Sequence, residues 1–229
     1  MSILAVALFG SRARGDEDPS SDVDLLLVTA EGPARHSSMG NLSLSFYPLS
    51  DLHARARSGN LFLCHVLREG RALYDPQACF PMLLSEFRLR GSYEATIQQA
   101  ADFAWYMVRF GRRYPDSNLF RRRVAWCVRT ILIGRSAEAG TPTFAPRHLA
   151  KLGPRLITAR LIAQKDANHL HPGALSDLER FLRELSLPDP LPTATEEAFT
   201  VRFKETANSV ALHFVKRAAF GANADAPYP

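Results

Sequence analysis

Two carboxylates one residue apart, Asp22 and Asp24, open the apolar run Val23-Asp24-Leu25-Leu26-Leu27-Val28. In an extended strand the side chains alternate faces, so both carboxylates point the same way while Val23 and Leu25 point into the core. Two carboxylates a few ångströms apart on one face make a magnesium site. Such a hard ion takes one or two carboxylates and completes its shell with water and substrate phosphates. A phosphate cradle therefore belongs nearby. The preceding stretch, Leu8-Phe9-Gly10-Ser11-Arg12-Ala13-Arg14-Gly15, carries an apolar run into a Gly-Ser turn. Gly10 lets the backbone approach an anion, Ser11 offers a hydroxyl, and the amides opening a short helix would point at a phosphate chain. Together these residues outline a nucleoside triphosphate site. Arg12 and Arg14 read either as phosphate ligands or as solvated charges, and Arg14 equally as a brace to a nearby aspartate. The acidic run Asp16-Glu17-Asp18 reads as a solvated loop.

The elements that must position these groups follow from periodicity. Ile3 to Leu8 and Val23 to Val28 read as strands, and Thr29 to Gly40, with its glycines, proline and serines, as a loop. Asn41 to Tyr47 reads as the next strand. Leu49, Leu52 and Ala56 have helical spacing, stopped by Ser58-Gly59. A second helix runs from Leu61 to Glu69, and Arg71 to Tyr74 form a last short strand. From Asp75 onward no strand period remains. Helices are expected over 76–90, 93–110, 118–137, 146–152, 154–166 and 173–185. Pro188 to Pro192 form a stiff linker, and a final helix opens on a capping box of Thr193 and Glu196 and ends near Gly221. No internal repeat is visible. The expected architecture is an α/β domain with a small mixed sheet flanked by helices, residues 1–75, then an all-α bundle, residues 76–221, and a frayed tail, residues 222–229.

The linked blocks Gly-Ser-Arg-Ala-Arg-Gly and Ser21-Asp22-Val23-Asp24-Leu25 resemble the nucleotidyltransferases of the DNA polymerase beta superfamily, whose signature is Gly-Ser, about ten residues, then Asp-x-Asp on a strand. The match is nearest to the minimal nucleotidyltransferase branch. The resemblance implies an α+β nucleotidyltransferase fold over 1–75 and transfer of a nucleoside monophosphate from a triphosphate, ATP first among them, to a hydroxyl or phosphate acceptor, with pyrophosphate leaving. It makes Asp22 and Asp24 the catalytic and Mg2+-binding pair, and places Gly10, Ser11, Arg12 and Arg14 about the nucleotide. Two departures stand out. The superfamily carries a third carboxylate on the next strand, and here Ser43 occupies that position, with Ser45 one pleat on. A serine hydroxyl provides neither negative charge nor a base near neutral pH. A slower enzyme with two carboxylates, a base from the second domain (Glu94, Asp102 and Glu138 are undistinguished candidates) and a triphosphate-binding remnant all remain open. The family also places a helix before the Gly-Ser strand, so here the helical half or a partner subunit is expected to cover one sheet face.

Composition bounds the alternatives. The chain has 229 residues, 46% of them hydrophobic, and a net charge of +5. Residues 1–75 hold 7 Lys+Arg against 9 Asp+Glu, net −2, which leaves 21 against 14, net +7, in the remainder. Arg109, Arg112, Arg113, Arg121, Arg122, Arg123 and Arg129 interleave with Trp105, Tyr106, Phe110, Tyr114, Phe120 and Trp126. That pattern reads either as a surface for a polyanion such as RNA or as core aromatics with a solvated basic face. No apolar run approaches the roughly 20 residues of a membrane span, and the N-terminus lacks a basic signal region. A cytoplasmic protein, free or as a homo-oligomer, is expected. Cys64, Cys79 and Cys127 read as buried thiols rather than a disulfide or zinc framework.

The helical half resembles the bundles joined to such domains in aminoglycoside adenylyltransferases and in HEPN systems. HEPN ribonucleases carry Arg-x4-6-His, whereas Arg147-His148 are adjacent and Arg160 precedes His169 by nine, so that activity is disfavoured. His169 and His171 read as surface histidines, and no serine or cysteine sits in a nucleophile elbow. Besides the enzyme, two alternatives are carried: a regulatory or antitoxin-like triphosphate-binding module gripping RNA or protein through its basic half, and an aminoglycoside-type adenylyltransferase. The basic half disfavours the latter, because polycationic substrates are drawn to acidic clefts.

Overall fold

The computed structural model describes residues 2–220 apart from 18, 20 and 115, so the expected tail over 222–229 lies outside the described residues. The chain divides into two units between Arg90 and Gly91. In the first, strands β1 (Ile3–Phe9), β2 (Val23–Thr29), β3 (Arg35–Met39), β4 (Leu42–Pro48) and β5 (Arg71–Tyr74) form one sheet in the order β3-β4-β2-β1-β5. Only β2 and β4 run parallel; the other pairs are antiparallel. The single-turn α1 (Ser11–Arg14) links β1 to the loop before β2, and α2 (Leu49–Arg57), α3 (Leu61–Glu69) and α4 (Cys79–Glu86) complete the unit.

Alternation dictates what these helices cover. Ala5, Ala7 and Phe9 of β1, Leu26 and Val28 of β2, and Tyr47 of β4 share one face. They pack with Leu52 and Ala56 of α2, Leu63 and Val66 of α3, and Cys79 and Leu83 of α4. Each fully buried leucine or valine there stabilises the unit by roughly 2 kcal/mol. Cys79 and Leu83 carry the unit past the boundary expected at residue 75. Asp75 starts α4, its carboxylate accepting from the N–H groups of Cys79 (2.7 Å) and Phe80 (3.0 Å), so the helix is shorter than the expected 76–90.

One expected loop is a strand. Residues 35–39 pair antiparallel with β4, although Arg-His-Ser-Ser-Met shows no alternation of apolar and polar residues. Backbone pairing at a sheet edge formed β3 where the side-chain pattern predicts none.

The second unit is helical: α5 (Glu94–Phe110), α6 (Asn118–Glu138), α7 (Pro146–Leu149), α8 (Arg155–Ala163), α9 (Ala174–Glu184), α10 (Glu196–Glu205) and α11 (Ser209–Phe220). Its core is aromatic, with Phe103 5.3 Å from Phe214 and Tyr106 5.5 Å from Phe203 between ring centroids. The expected last helix is two. Ala207 takes φ 51°, and Asn208 Oδ1 accepts the Ala211 N–H at 3.2 Å, so a new helix starts there. Thr195, not Thr193, caps α10, accepting from the Ala198 N–H at 3.4 Å. No helix among the described residues is long and apolar enough to cross a membrane.

Candidate active site

The turn after β1 is shaped by Gly10, whose φ of 78° and ψ of −155° fall in a region essentially restricted to glycine. The same residue faces Asp24. A Cβ built on Gly10 would lie 2.5 Å from Asp24 Oδ2, so only a residue without a side chain leaves that carboxylate its place. The β1–β2 register sets Phe9 opposite Asp24, which brings the Gly-Ser turn and the acidic strand together.

Asp22 directly precedes β2, and the backbone on either side of it is pinned. Arg12 donates from Nε (3.2 Å) and Nη2 (2.9 Å) to the Ser21 carbonyl, while the Val23 N–H donates to the Asn41 carbonyl at 2.7 Å. Arg12 is thus a brace between α1 and the acidic segment. Asp22 and Asp24 are both half-buried. Asp24 against Gly10 and Asp22 just before the same strand are hard oxygen donors of the kind a magnesium ion takes, and that ion needs no larger protein cage. Among the described residues there is no cluster of three or more His, Cys, Asp or Glu.

The family model described as polymerase beta, nucleotidyltransferase matches residues 1–78. Over these residues the chain is similar to the polymerase beta nucleotidyltransferases. Among solved structures, a nucleotidyltransferase-like protein from Exiguobacterium sibiricum 255-15 is 17% identical over 94% of this chain and 85% of that one, with a TM-score of 0.36. No curated protein sequence matches significantly.

Within the first unit, Ser43 pairs with Asp24 across the parallel β2–β4 ladder, and Ser38 of β3 pairs with Ser43. Phe9, Asp24, Ser43 and Ser38 therefore form one row across four strands, all on the helix-covered face. The next row is Ala7, Leu26, Ser45 and His36. His36 Nδ1 lies 3.4 Å from Ser45 Oγ and its Nε2 lies 3.1 Å from Ser38 Oγ. Because the sequence reads as a loop over 29–40, nothing in its periodicity places His36 on this face.

Arg14 is committed to the domain's own carboxylates: Nη2 pairs with Asp16 at 3.0 Å and Nη1 with Glu69 at 2.9 Å. His65 Nε2 joins Glu69 at 3.3 Å and sets its ring edge-on to Phe9. Burial raises the Glu69 carboxyl, but the hydrogen bonds and charges of His65 and Arg14 outweigh it and hold the group below the usual glutamate range.

In the helical unit, the aromatics of the expected basic-aromatic surface are mostly core. Trp105, Tyr106, Phe110 and Phe120 are buried, and Trp105 Nε1 donates to the Leu187 carbonyl at 2.9 Å. Arg109 pairs with Asp189, Arg113 with Glu196 and Arg121 with Asp116. Glu196 also accepts from the hydroxyls of Tyr106 and Tyr114. Burial, reinforced by that carboxylate, pushes Tyr114 up to about 12 and raises Tyr106. Of the three acids held open as a second-domain base, Asp102 is fully buried against Arg202 at 2.6 Å. Glu138 accepts from Ser92 Oγ (3.0 Å) and the Tyr93 N–H (2.6 Å). Glu94 is exposed in the first turn of α5.

Proposed function

We propose that this chain transfers a nucleoside monophosphate from a nucleoside triphosphate, ATP in the first place, to an acceptor and releases pyrophosphate. The observation that carries this reading is the close approach of the Asp24 carboxylate to Gly10. It sets a carboxylate directly against the Gly-Ser turn, and its chemistry agrees with the nucleotidyltransferase family match over residues 1–78.

In this reading Gly10 and Ser11 hold the triphosphate tail, and Asp22 and Asp24 would hold magnesium. The ion, when bound, supplies charge neutralisation to the phosphates. Arg12 fixes the backbone bearing Asp22 through the Ser21 carbonyl. Most of the rate in such chemistry comes from positioning and electrostatic stabilisation, which in this reading fall to the glycine turn, the strand end and the guanidinium brace. The acceptor oxygen attacks the α-phosphorus, and the bond to the bridging oxygen of the β-phosphate breaks.

The test is incubation with each α-labelled triphosphate, with and without Mg2+, in the presence of total RNA, small alcohols or the protein alone, following the label. Mg2+-dependent transfer that disappears in the Asp22→Ala, Asp24→Ala double variant supports the reading. An unchanged rate in that variant refutes it. Ser43 beside Asp24 favours one second reading, a module that binds the triphosphate without turnover. Mg2+-dependent ATP binding with no pyrophosphate release selects that module.

A further inference from the structure

Removing the third carboxylate leaves a question of proton transfer. An attacking hydroxyl must lose its proton, and Ser43, in register beside Asp24, offers only a neutral hydroxyl. The same face of the sheet supplies one basic group nearby. His36 stands one row away on β3, and its Nε2 reaches Ser38 Oγ at 3.1 Å. Ser38 in turn pairs with Ser43. With strands about 4.8 Å apart, Ser38 lies two strands from Asp24, with the short Ser43 side chain between them. A carboxylate at residue 43 would fill that gap; a serine leaves room for an acceptor.

We propose that His36 is the proton acceptor of the transfer reaction, acting through the Ser38 hydroxyl in place of the missing third acid. The inference rests on the nucleotidyltransferase reading and deepens it. When Nδ1–H donates to Ser45 Oγ, Nε2 is left to accept the Ser38 hydroxyl proton. An imidazole is suited to this because the neutral ring donates from one nitrogen and accepts at the other. The acceptor's oxygen forms a bond to the α-phosphorus as the α–β bridging bond breaks, and the electron pair of that bond leaves with pyrophosphate. The acceptor's proton passes to Ser38 Oγ while the Ser38 proton passes to His36 Nε2, and the imidazolium returns its proton to solvent. A phosphate acceptor carries no proton that needs such a relay, so the arrangement commits the acceptor to an alcohol hydroxyl.

The roles separate in one set of measurements on the full chain: Mg·ATP binding by calorimetry, and pyrophosphate release with glycerol or total RNA as the source of hydroxyls. The variants are His36→Gln, Ser43→Asp and the two combined. His36→Gln is expected to leave Mg·ATP affinity within about twofold and to lower kcat about 100-fold, the low end of a general-base effect. Ser43→Asp in the His36→Gln background is expected to recover at least about tenfold, because a carboxylate then stands next to Asp24 and takes the proton directly. A purely structural histidine would not be rescued in this way. A wild-type rate in His36→Gln overturns the inference, as does an equal loss of ATP affinity or a loss that Ser43→Asp does not recover. A wild type that binds Mg·ATP and releases no pyrophosphate also overturns it, leaving the nucleotide site standing. A wild type that binds no Mg·ATP overturns both.

Discussion

Replacing Gly10 with alanine separates backbone strain from the contact that defines the site. At φ 78° and ψ −155° an alanine pays about 1–3 kcal/mol for a conformation that is nearly glycine-only. The new Cβ would also stand 2.5 Å from Asp24 Oδ2, closer than any real contact. That oxygen ends a rotatable side chain, so the carboxylate swings aside rather than the sheet breaking. The strain appears as stability and the displacement as lost binding. Gly15 is the control: its φ of 72° and ψ of 28° cost alanine about 1–2 kcal/mol, but its Cβ would meet nothing within 4 Å. Urea unfolding should therefore show losses of about 2 kcal/mol in both variants. Calorimetry should show Mg·ATP affinity reduced about 10–100-fold in Gly10→Ala, as when the support of a metal ligand is removed, and near wild type in Gly15→Ala. Equal affinity in the two variants would mean that the Gly10–Asp24 contact does not shape the binding site.

Arg14→Ala, which strips Glu69 and Asp16 of a half-buried partner, is expected to lower the stability of the first unit by about 1.5–3 kcal/mol in urea unfolding. Because the Glu69 carboxyl is held below its ordinary value, its contribution is fully present above the unfolded glutamate value of about 4.3 and fades as pH falls through the lower folded value. Glu69→Gln should accordingly flatten the acid limb of stability against pH without changing its slope above neutrality. In the helical unit, Arg202→Met leaves the fully buried Asp102 carboxylate without its ionic partner and is expected to cost about 3–5 kcal/mol; adding Asp102→Asn should recover part of that loss. Burial raises the thiols of Cys64, Cys79 and Cys127, and each side chain is fully buried. Ellman's reagent should therefore reach them only as the protein unfolds.

What the amino-acid order determined by itself is local. The strand over Val23 to Val28, the Gly-Ser turn before it and the helical spacing of Leu49, Leu52 and Ala56 are all set by neighbours within one or two turns of chain, but the expected facing is reversed: Leu26 and Val28, not Val23 and Leu25, enter the core, on the side of Asp24. The elements were legible because side-chain alternation and a positive φ at glycine need no distant partner. The tertiary structure decided the rest. Strand β3 has no apolar period and exists through its ladder with β4, and with it came the placement of His36 and Ser38 on the face of Asp24. The break between α10 and α11 carries neither glycine nor proline; it is held by Asn208 capping Ala211. Arg12, Arg14 and Arg109 look alike in sequence, yet one braces a carbonyl, one bridges two acids and one pairs with Asp189. The physical reason is common to all three cases: strand pairing, caps and ion pairs join backbone and polar groups, some as distant as Arg14 and Glu69 or Arg109 and Asp189, and no apolar periodicity encodes which strand or which carboxylate a group will meet.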